Sequence, residues 1–290
     1  MKNTLSLKFY IAIVSVAAII TVSFAACGNN FLCNNKAEAD RALPVIENIG
    51  QVVEFGVWRG EPIKWRVLDI QDGRALVLAE DILAVRQFAE LKSLENSDYK
   101  MTWEDSDIRK WLSEDFFDEA FSKNEQNAIL LTKFINPDRR MFPAEGEGDT
   151  NDKIFLLRLD EINKYFPKNA VYYYNNNYYY NEDYQNDDLI AEIRMTDEDL
   201  DYITLVAERD FVYFGNRLTD LKKEMKDQYL NKRVAWRWWL MSPWEGSLND
   251  RFYVDDEGYV YSYKNFIFKA TDDVWDYGGV RPAMYLALKA

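Results

Sequence analysis

The chain has 290 residues, 35 Lys and Arg against 49 Asp and Glu, a net charge of −14 at pH 7 and 16% aromatic residues. A field of that sign repels nucleic acid and anionic membrane surfaces, and no basic stripe overrides it. The absence of histidine and the presence of only two cysteines remove Ser-His-Asp and Cys-His nucleophile activation, His-ligated zinc, copper or iron, and any cysteine cluster. Neither G-x-x-x-x-G-K-[ST] nor a G-x-G-x-x-G after a strand occurs. Asp and Glu remain for carboxylate or hard-cation chemistry, but no pair of them stands out from the composition.

Lys2 and Lys8 flank the start of an uncharged, mostly apolar run, Phe9 to Phe24. It is too short and wrongly flanked for a comfortable membrane span. It ends in Phe24-Ala25-Ala26-Cys27-Gly28, which resembles the lipobox of bacterial lipoproteins, with Phe24 where leucine is usual. That implies a signal peptide over 1–26 and lipid attachment at Cys27; an ordinary signal peptide is the plainer alternative. Acyl chains contribute roughly 0.8 kcal/mol per buried CH2, so two or more hold a protein to a bilayer. The expected location is the cell envelope, lipid-anchored, at the outer membrane or cell surface if the cell is Gram-negative. Cys33 then has no disulfide partner. Residues 27–49 read as a tether and 50–290 as one domain.

Ile63, Trp65 and Val67 alternate with Lys64 and Arg66, then Gln71-Asp72-Gly73-Arg74 turns the chain into Ala75–Ala79. This is a hairpin. Residues 80–88 read as a short helix. Residues 102–121 read as helical, capped at Thr102 or Ser106, with Ile108, Trp111 and Leu112 on one face and a break at Ser113. Trp103 and Trp111 belong to the core. Ser122 and Glu125 form a capping box. Pro137 to Asp152 is an acidic Gly/Pro loop; its Glu145, Glu147, Asp149 and Asp152 fit no calcium-binding spacing, and a solvated loop is the simpler reading. Lys153 to Leu157 reads as a strand and Asp160 to Phe166 as a helix with Ile162 and Phe166 inward. The Tyr/Asn-rich insertion at 171–188 suits either a binding loop or a polar insertion. Helices follow from Thr196 to about Ala207 and from Leu218 to Leu230. Trp236 to Leu240 reads as a strand, Phe252–Val254 and Tyr259–Tyr261 as a hairpin across Asp255-Asp256-Glu257-Gly258, and Val280–Leu288 as the last strand, with Pro282 at a bulge or edge.

Several motifs in order resemble one family. They are Phe55-Gly56-Val57-Trp58 with Ile63-Lys64-Trp65-Arg66-Val67-Leu68-Asp69; Trp103 to Leu112; the acidic-aromatic Phe116 to Phe121; Asp152 to Leu157; Trp238-Trp239-Leu240-Met241-Ser242-Pro243-Trp244; and Gly279-Val280-Arg281-Pro282-Ala283. The set is similar to the bacterial domain-of-unknown-function family 6273 and covers most of residues 50–290. The resemblance implies an α+β fold: a C-type-lectin-like mixed sheet with flanking helices and long loops, related to formylglycine-generating sulfatase modifiers. The paired-tryptophan strand and the closing Gly-Val-Arg-Pro-Ala strand then share one central sheet, with Trp238 and Trp239 as framework. Formylglycine chemistry is not implied, because it needs copper-binding cysteines. Met241 and Trp244 stand where the family has arginine and glycine. Leu248-Asn249-Asp250 is similar to a calcium-binding Trp-Asn-Asp, though a turn is the simpler reading.

These readings lead to a non-catalytic binding module whose protein or glycan ligand meets the connections between Trp244 and Tyr277. The expected contacts are Trp244, Asn249, Tyr253, Tyr261, Trp275 and Tyr277, taken as exposed aromatics plus one amide. No cofactor is required; calcium is the one candidate. A carboxylate-dependent envelope hydrolase and a structural envelope module without ligand are the alternatives. The hydrolase predicts two acids close together in one cleft, one with a raised pKa.

Overall fold

The computed structural model describes residues 41–89, 102–135, 148–167, 172–174, 177–179, 186–210, 217–244, 247–262 and 277–288. The residues read as signal peptide and most of the tether, Cys27 included, lie outside this set, as does 136–147 of the acidic loop.

The fold is α+β. The first four strands are β1 (Val52–Trp58), β2 (Glu61–Gln71), β3 (Arg74–Ala79) and β4 (Ala84–Arg86). The β2–β3 turn is the expected two-residue type, with Asp72 and Gly73 both at positive φ, which matches the right-handed strand twist. β4 overturns the helix read at 80–88. Ala84 and Val85 are buried, and their backbone pairs with another strand instead of with itself. Short pairing strands follow: β5 (Thr132–Phe134), β6 (Thr150–Asp152), β7 (Ile154–Leu156), β8 (Tyr172–Tyr174), β9 (Asn177–Tyr179), β10 (Glu192–Arg194) and β11 (Arg233–Ala235). The C-terminal part holds β12 (Trp238–Trp244), β13 (Ser247–Val254), β14 (Val260–Ser262), β15 (Gly278–Val280) and β16 (Pro282–Ala287). Leu248-Asn249-Asp250 therefore lies within a strand, not a turn.

Two five-stranded sheets organise the chain, in the orders β1-β2-β3-β16-β7 and β14-β13-β12-β15-β4. The first is antiparallel throughout. The second is mixed, because β15 runs parallel to β12 at Trp238↔Gly279. The expectation of one central sheet is thus corrected. Only Gly278–Val280 lies beside the paired-tryptophan strand; after Arg281 the chain crosses to the first sheet, where Pro282 opposes Leu156. Proline has no N–H for a ladder, so a strand that must change partners tolerates it at its first position. Gly278 and Gly279 are required by close approach. A Cβ would sit 2.7 Å from the Trp239 indole at the first and 2.6 Å from Ile82 at the second.

The helices seal the sheets. α1 (Asp107–Trp111) starts at Ser106, whose Oγ accepts from Arg109 N. It passes into a π-helical turn, Leu112–Phe116, and then α2 (Phe117–Ala120). The turn replaces the break read at Ser113. It directs Phe116 into a cluster with Trp58, Trp111 and Phe121 at 5.1–5.7 Å, edge-to-face or tilted geometry that adds to plain burial. α3 (Lys123–Ala128) carries the expected Ser122–Glu125 capping box. Buried Glu125 also accepts from Gly56 N at 3.0 Å. α4 (Leu159–Tyr165) buries Ile162, with Phe166 inward just beyond it. α5 (Asp197–Asp210) opens with Thr196 and Asp199 capping each other, and α6 (Arg217–Tyr229) follows.

Trp238 and Trp239 are 0% and 2% exposed. Their indole N–H groups donate to Leu189 O at 3.1 Å and Arg86 O at 3.0 Å. Arg281 is equally buried. It donates to Ala79 O at 2.8 Å and Leu189 O at 3.3 Å and lies over the Trp238 ring at 4.9 Å. Truncation leaves those carbonyls short of a donor and opens a cavity between sheets. We expect Arg281→Ala to lower the unfolding free energy by about 3 kcal/mol or more in urea titrations, with Lys64→Ala, an exposed control, within about 0.5 kcal/mol. A loss below about 1 kcal/mol at Arg281 would show that the two sheets do not depend on it.

Candidate functional site

The C-terminal connections leave a well-anchored platform. At its base, Met241 N donates to Leu157 O at 2.9 Å, tying β12 to the end of β7. Ser242 Oγ accepts from Leu159 N at 2.9 Å, which satisfies one of the orphan N–H groups at the start of α4. Buried Arg251 donates to Met241 O at 2.9 Å and lies over Phe88 at 4.6 Å. The Asp255 carboxylate accepts from Glu257 N and Tyr259 N at 3.0 and 2.8 Å, closing the β13–β14 turn. Burial, followed by neighbouring Asp256 and Glu257, holds that carboxyl above its usual range against these donors.

The expected contact residues divide. Trp239, Tyr253 and Tyr261 oppose one another across β12, β13 and β14, so these register positions share one sheet face. Trp239 is buried, Tyr253 is half-buried against the core, and Tyr261 lies on the outermost strand of this sheet. An aromatic row therefore runs from the core to the sheet edge. Trp244 ends β12 and Asn249 lies within β13. Trp275 lies outside the described residues. Tyr277 is not an exposed loop aromatic: it is 3% exposed, stacked on Trp236 with 12° between ring planes, and burial pushes its hydroxyl up to about 12.

Carboxylate chemistry concentrates elsewhere, on α4. Glu161 Oε2 accepts from Arg158 N at 2.8 Å. Desolvation raises its carboxyl to about 7, opposed by that N–H and reinforced by Asp160. Next to it, Lys164 and Tyr165 both donate to Asp69 Oδ2, at 2.9 and 2.8 Å. They hold Asp69 below its usual range, Lys164 contributing most. One acid is thus tuned up and one down around a single lysine, the separation that acid–base roles require. Sequence reading missed Glu161; its only signal is the position three residues after Arg158, where a helix N-terminus wants an acceptor. Among the described residues no group of three or more acids is placed to hold a metal ion. Asp149 pairs with Lys133, and Asp152 is buried against Trp103 and Arg109. No described helix is long and apolar enough to cross a membrane.

A family model described as Domain of unknown function (DUF6273) matches residues 72–288. No curated protein and no solved structure matches the chain.

The raised Glu161 carboxyl makes stability depend on pH in a stated direction. Below about 4.5, the unfolded value, the group is protonated in both states and costs nothing. As pH rises toward about 7 the unfolded chain ionises first, and stability falls. We expect about 3 kcal/mol to be lost between pH 4.5 and 7.5, and Glu161→Gln to remove most of that slope. Urea midpoints across the pH range measure it; an unchanged slope in the variant would mean that Glu161 titrates normally.

Proposed function

The chain belongs to this family, Domain of unknown function (DUF6273), and from that premise we propose that it is a non-catalytic binding module of the cell envelope, anchored through lipid on Cys27. The fold is of the C-type-lectin-like kind, and the ligand is a protein or a glycan held at the β12–β13–β14 edge and the connections that leave it. The observation that carries this reading is the row Trp239, Tyr253, Tyr261. Its inner member is spent on the core, while its outer positions approach an edge with large amphipathic rings. Such rings supply contact area at little entropic cost. Trp244 ends β12 and Asn249 lies within β13, the strands of this edge. Buried Tyr277, stacked on Trp236, is framework and not a contact. Calcium, if used, would be held by the connections.

A carboxylate-dependent envelope hydrolase is the second reading, favoured by Glu161 with its carboxyl near 7. That carboxylate also serves a helix terminus, which fits a structural role equally well. Release of new sugar ends from envelope polysaccharide, abolished by Glu161→Gln, would promote this reading over the first.

The decisive experiment probes glycan and protein arrays with the soluble domain from Glu38 onward, with and without calcium. We expect a defined set of ligands, and at least a tenfold loss of affinity in Tyr253→Ala and Tyr261→Ala, the scale of an interface anchor. Empty arrays, or ligands that ignore both substitutions, would favour a structural envelope module.

A further inference from the structure

A cleft of about 250 Å³ takes none of its lining residues from β12, β13 or β14. One wall is the β1–β2 hairpin, with Trp58, Arg59 and Lys64; the other is the β10–β11 ladder, with Ile193, Arg194 and Arg233. Its floor, Ile82 and Leu83, is fixed by backbone bonds to Glu192 O and Val280 O, both 2.9 Å. The Trp58 indole N–H donates to Leu83 O at 2.8 Å, so the hairpin cannot swing away from the floor without losing a bond. The cleft is preformed.

Its lining is richer in cations than in acids, although three of the four cations are paired with carboxylates of the fold. In a protein of net −14, the lining has four cations, Arg59, Lys64, Arg194 and Arg233, and two acids, Glu61 and Asp81. The guanidiniums are held in place. Arg59 sits at φ 51° in a two-residue turn with Gly60, a conformation costly for a residue bearing a Cβ. Asp199 grips it at 2.7 and 3.2 Å and Glu198 at 3.2 Å. Arg194 bonds Glu61 at 3.0 Å, and Arg233 bonds Glu192 at 2.9 Å and also Asp81. A guanidinium has five N–H groups, so each retains donors. The Lys64 ammonium has no ion-pair partner among the described residues.

We propose that this cleft binds a small carboxylate-bearing ligand with an apolar ring face, of the size of one uronic acid residue. The carboxylate would meet Lys64 and the fixed guanidiniums, whose fork geometry suits it. The ring would lie on Trp58 and Leu83, the partly exposed apolar members of the lining, with buried Ile82 and Ile193 behind them. The volume is below the roughly 300 Å³ at which pockets for drug-sized molecules begin, so it admits one ring rather than a chain. The apolar floor is more than an inorganic anion needs. This site is independent of the reading given for the C-terminal edge.

Calorimetric titration of the purified full chain with D-glucuronate, D-glucose and inorganic phosphate tests it. Glucuronate should saturate near the millimolar range expected for a single-ring ligand, with glucose and phosphate at least tenfold weaker. Lys64→Gln and Arg194→Gln, both at exposed side chains, should each weaken glucuronate about tenfold without lowering the melting temperature. Tyr253→Ala should leave glucuronate binding unchanged, which separates this site from the C-terminal edge. Equal binding of glucose would remove the anion requirement, and equal binding of phosphate the ring requirement. Either result, or no saturation by glucuronate, or unaltered affinity in both charge variants, overturns the proposal.

Discussion

A guanidinium buried where the chain changes sheets holds the two layers in register. Arg281 lies between β15 and β16 and donates to carbonyls at the end of β3 and in the segment before β10. Burial alone would expel a cation, and it draws Arg281 down to about 10, still charged at neutral pH. Among the described residues no carboxylate bonds it. Two carbonyl oxygens and the face of Trp238 replace the lost hydration. Leu189 O is shared by Arg281 and the Trp238 indole, so neither group can move without disturbing the other. Pro282 follows at once, so the strand ends its pairing with β4 where Arg281 turns inward.

The tryptophan content follows the same rule. Five described indoles, Trp58, Trp65, Trp103, Trp238 and Trp239, donate N–H to a carbonyl or carboxylate. Buried ring donors are generally paired; Trp65 bonds the neighbouring strand of its own hairpin, and the other four bonds join segments distant in sequence. The acidic residues work in parallel. Glu125, Glu161 and Asp199 each accept from a helix-terminal N–H, and Asp199 adds Arg59 and Val85 N. The aromatic composition is used largely to lock an interior.

The sequence motifs proved to be contact partners. Trp103 and Arg109 of one motif both bond Asp152, which begins another; Ser242 of the tryptophan motif caps the helix that follows β7. Hairpins, capping boxes and the burial of Trp238 and Trp239 were legible because each depends on residues close in the chain or on an unmistakable apolar run. What was not legible depends on distant partners. Residues 80–88 have no strand signature of their own; β4 exists because Gly278 and Gly279 admit it beside Trp239. The change of sheet at Arg281 needs both sheets to be seen. Tyr277 reads as a loop aromatic until Trp236 is found stacked on it. The cleft was invisible because its cations come from three stretches far apart in the chain, the β1–β2 hairpin, β10 and β11.

The proposed cleft draws its lining from both sides of the boundary of the family match. The family match begins at residue 72. Ile82, Arg194 and Arg233 therefore lie inside it, whereas Trp58, Arg59 and Lys64 lie on the hairpin before it. Among the contacts that bind that hairpin to the matched region are Arg59 on Asp199 and Trp58 on Leu83. Neither involves Arg281 or the paired tryptophans. A substitution at Lys64 alters charge at the mouth of the cleft while leaving both contacts and the sheet crossing intact. Charge at the cleft can thus change at an exposed strand position, because the bonds made by Arg281 and the paired tryptophans lie elsewhere.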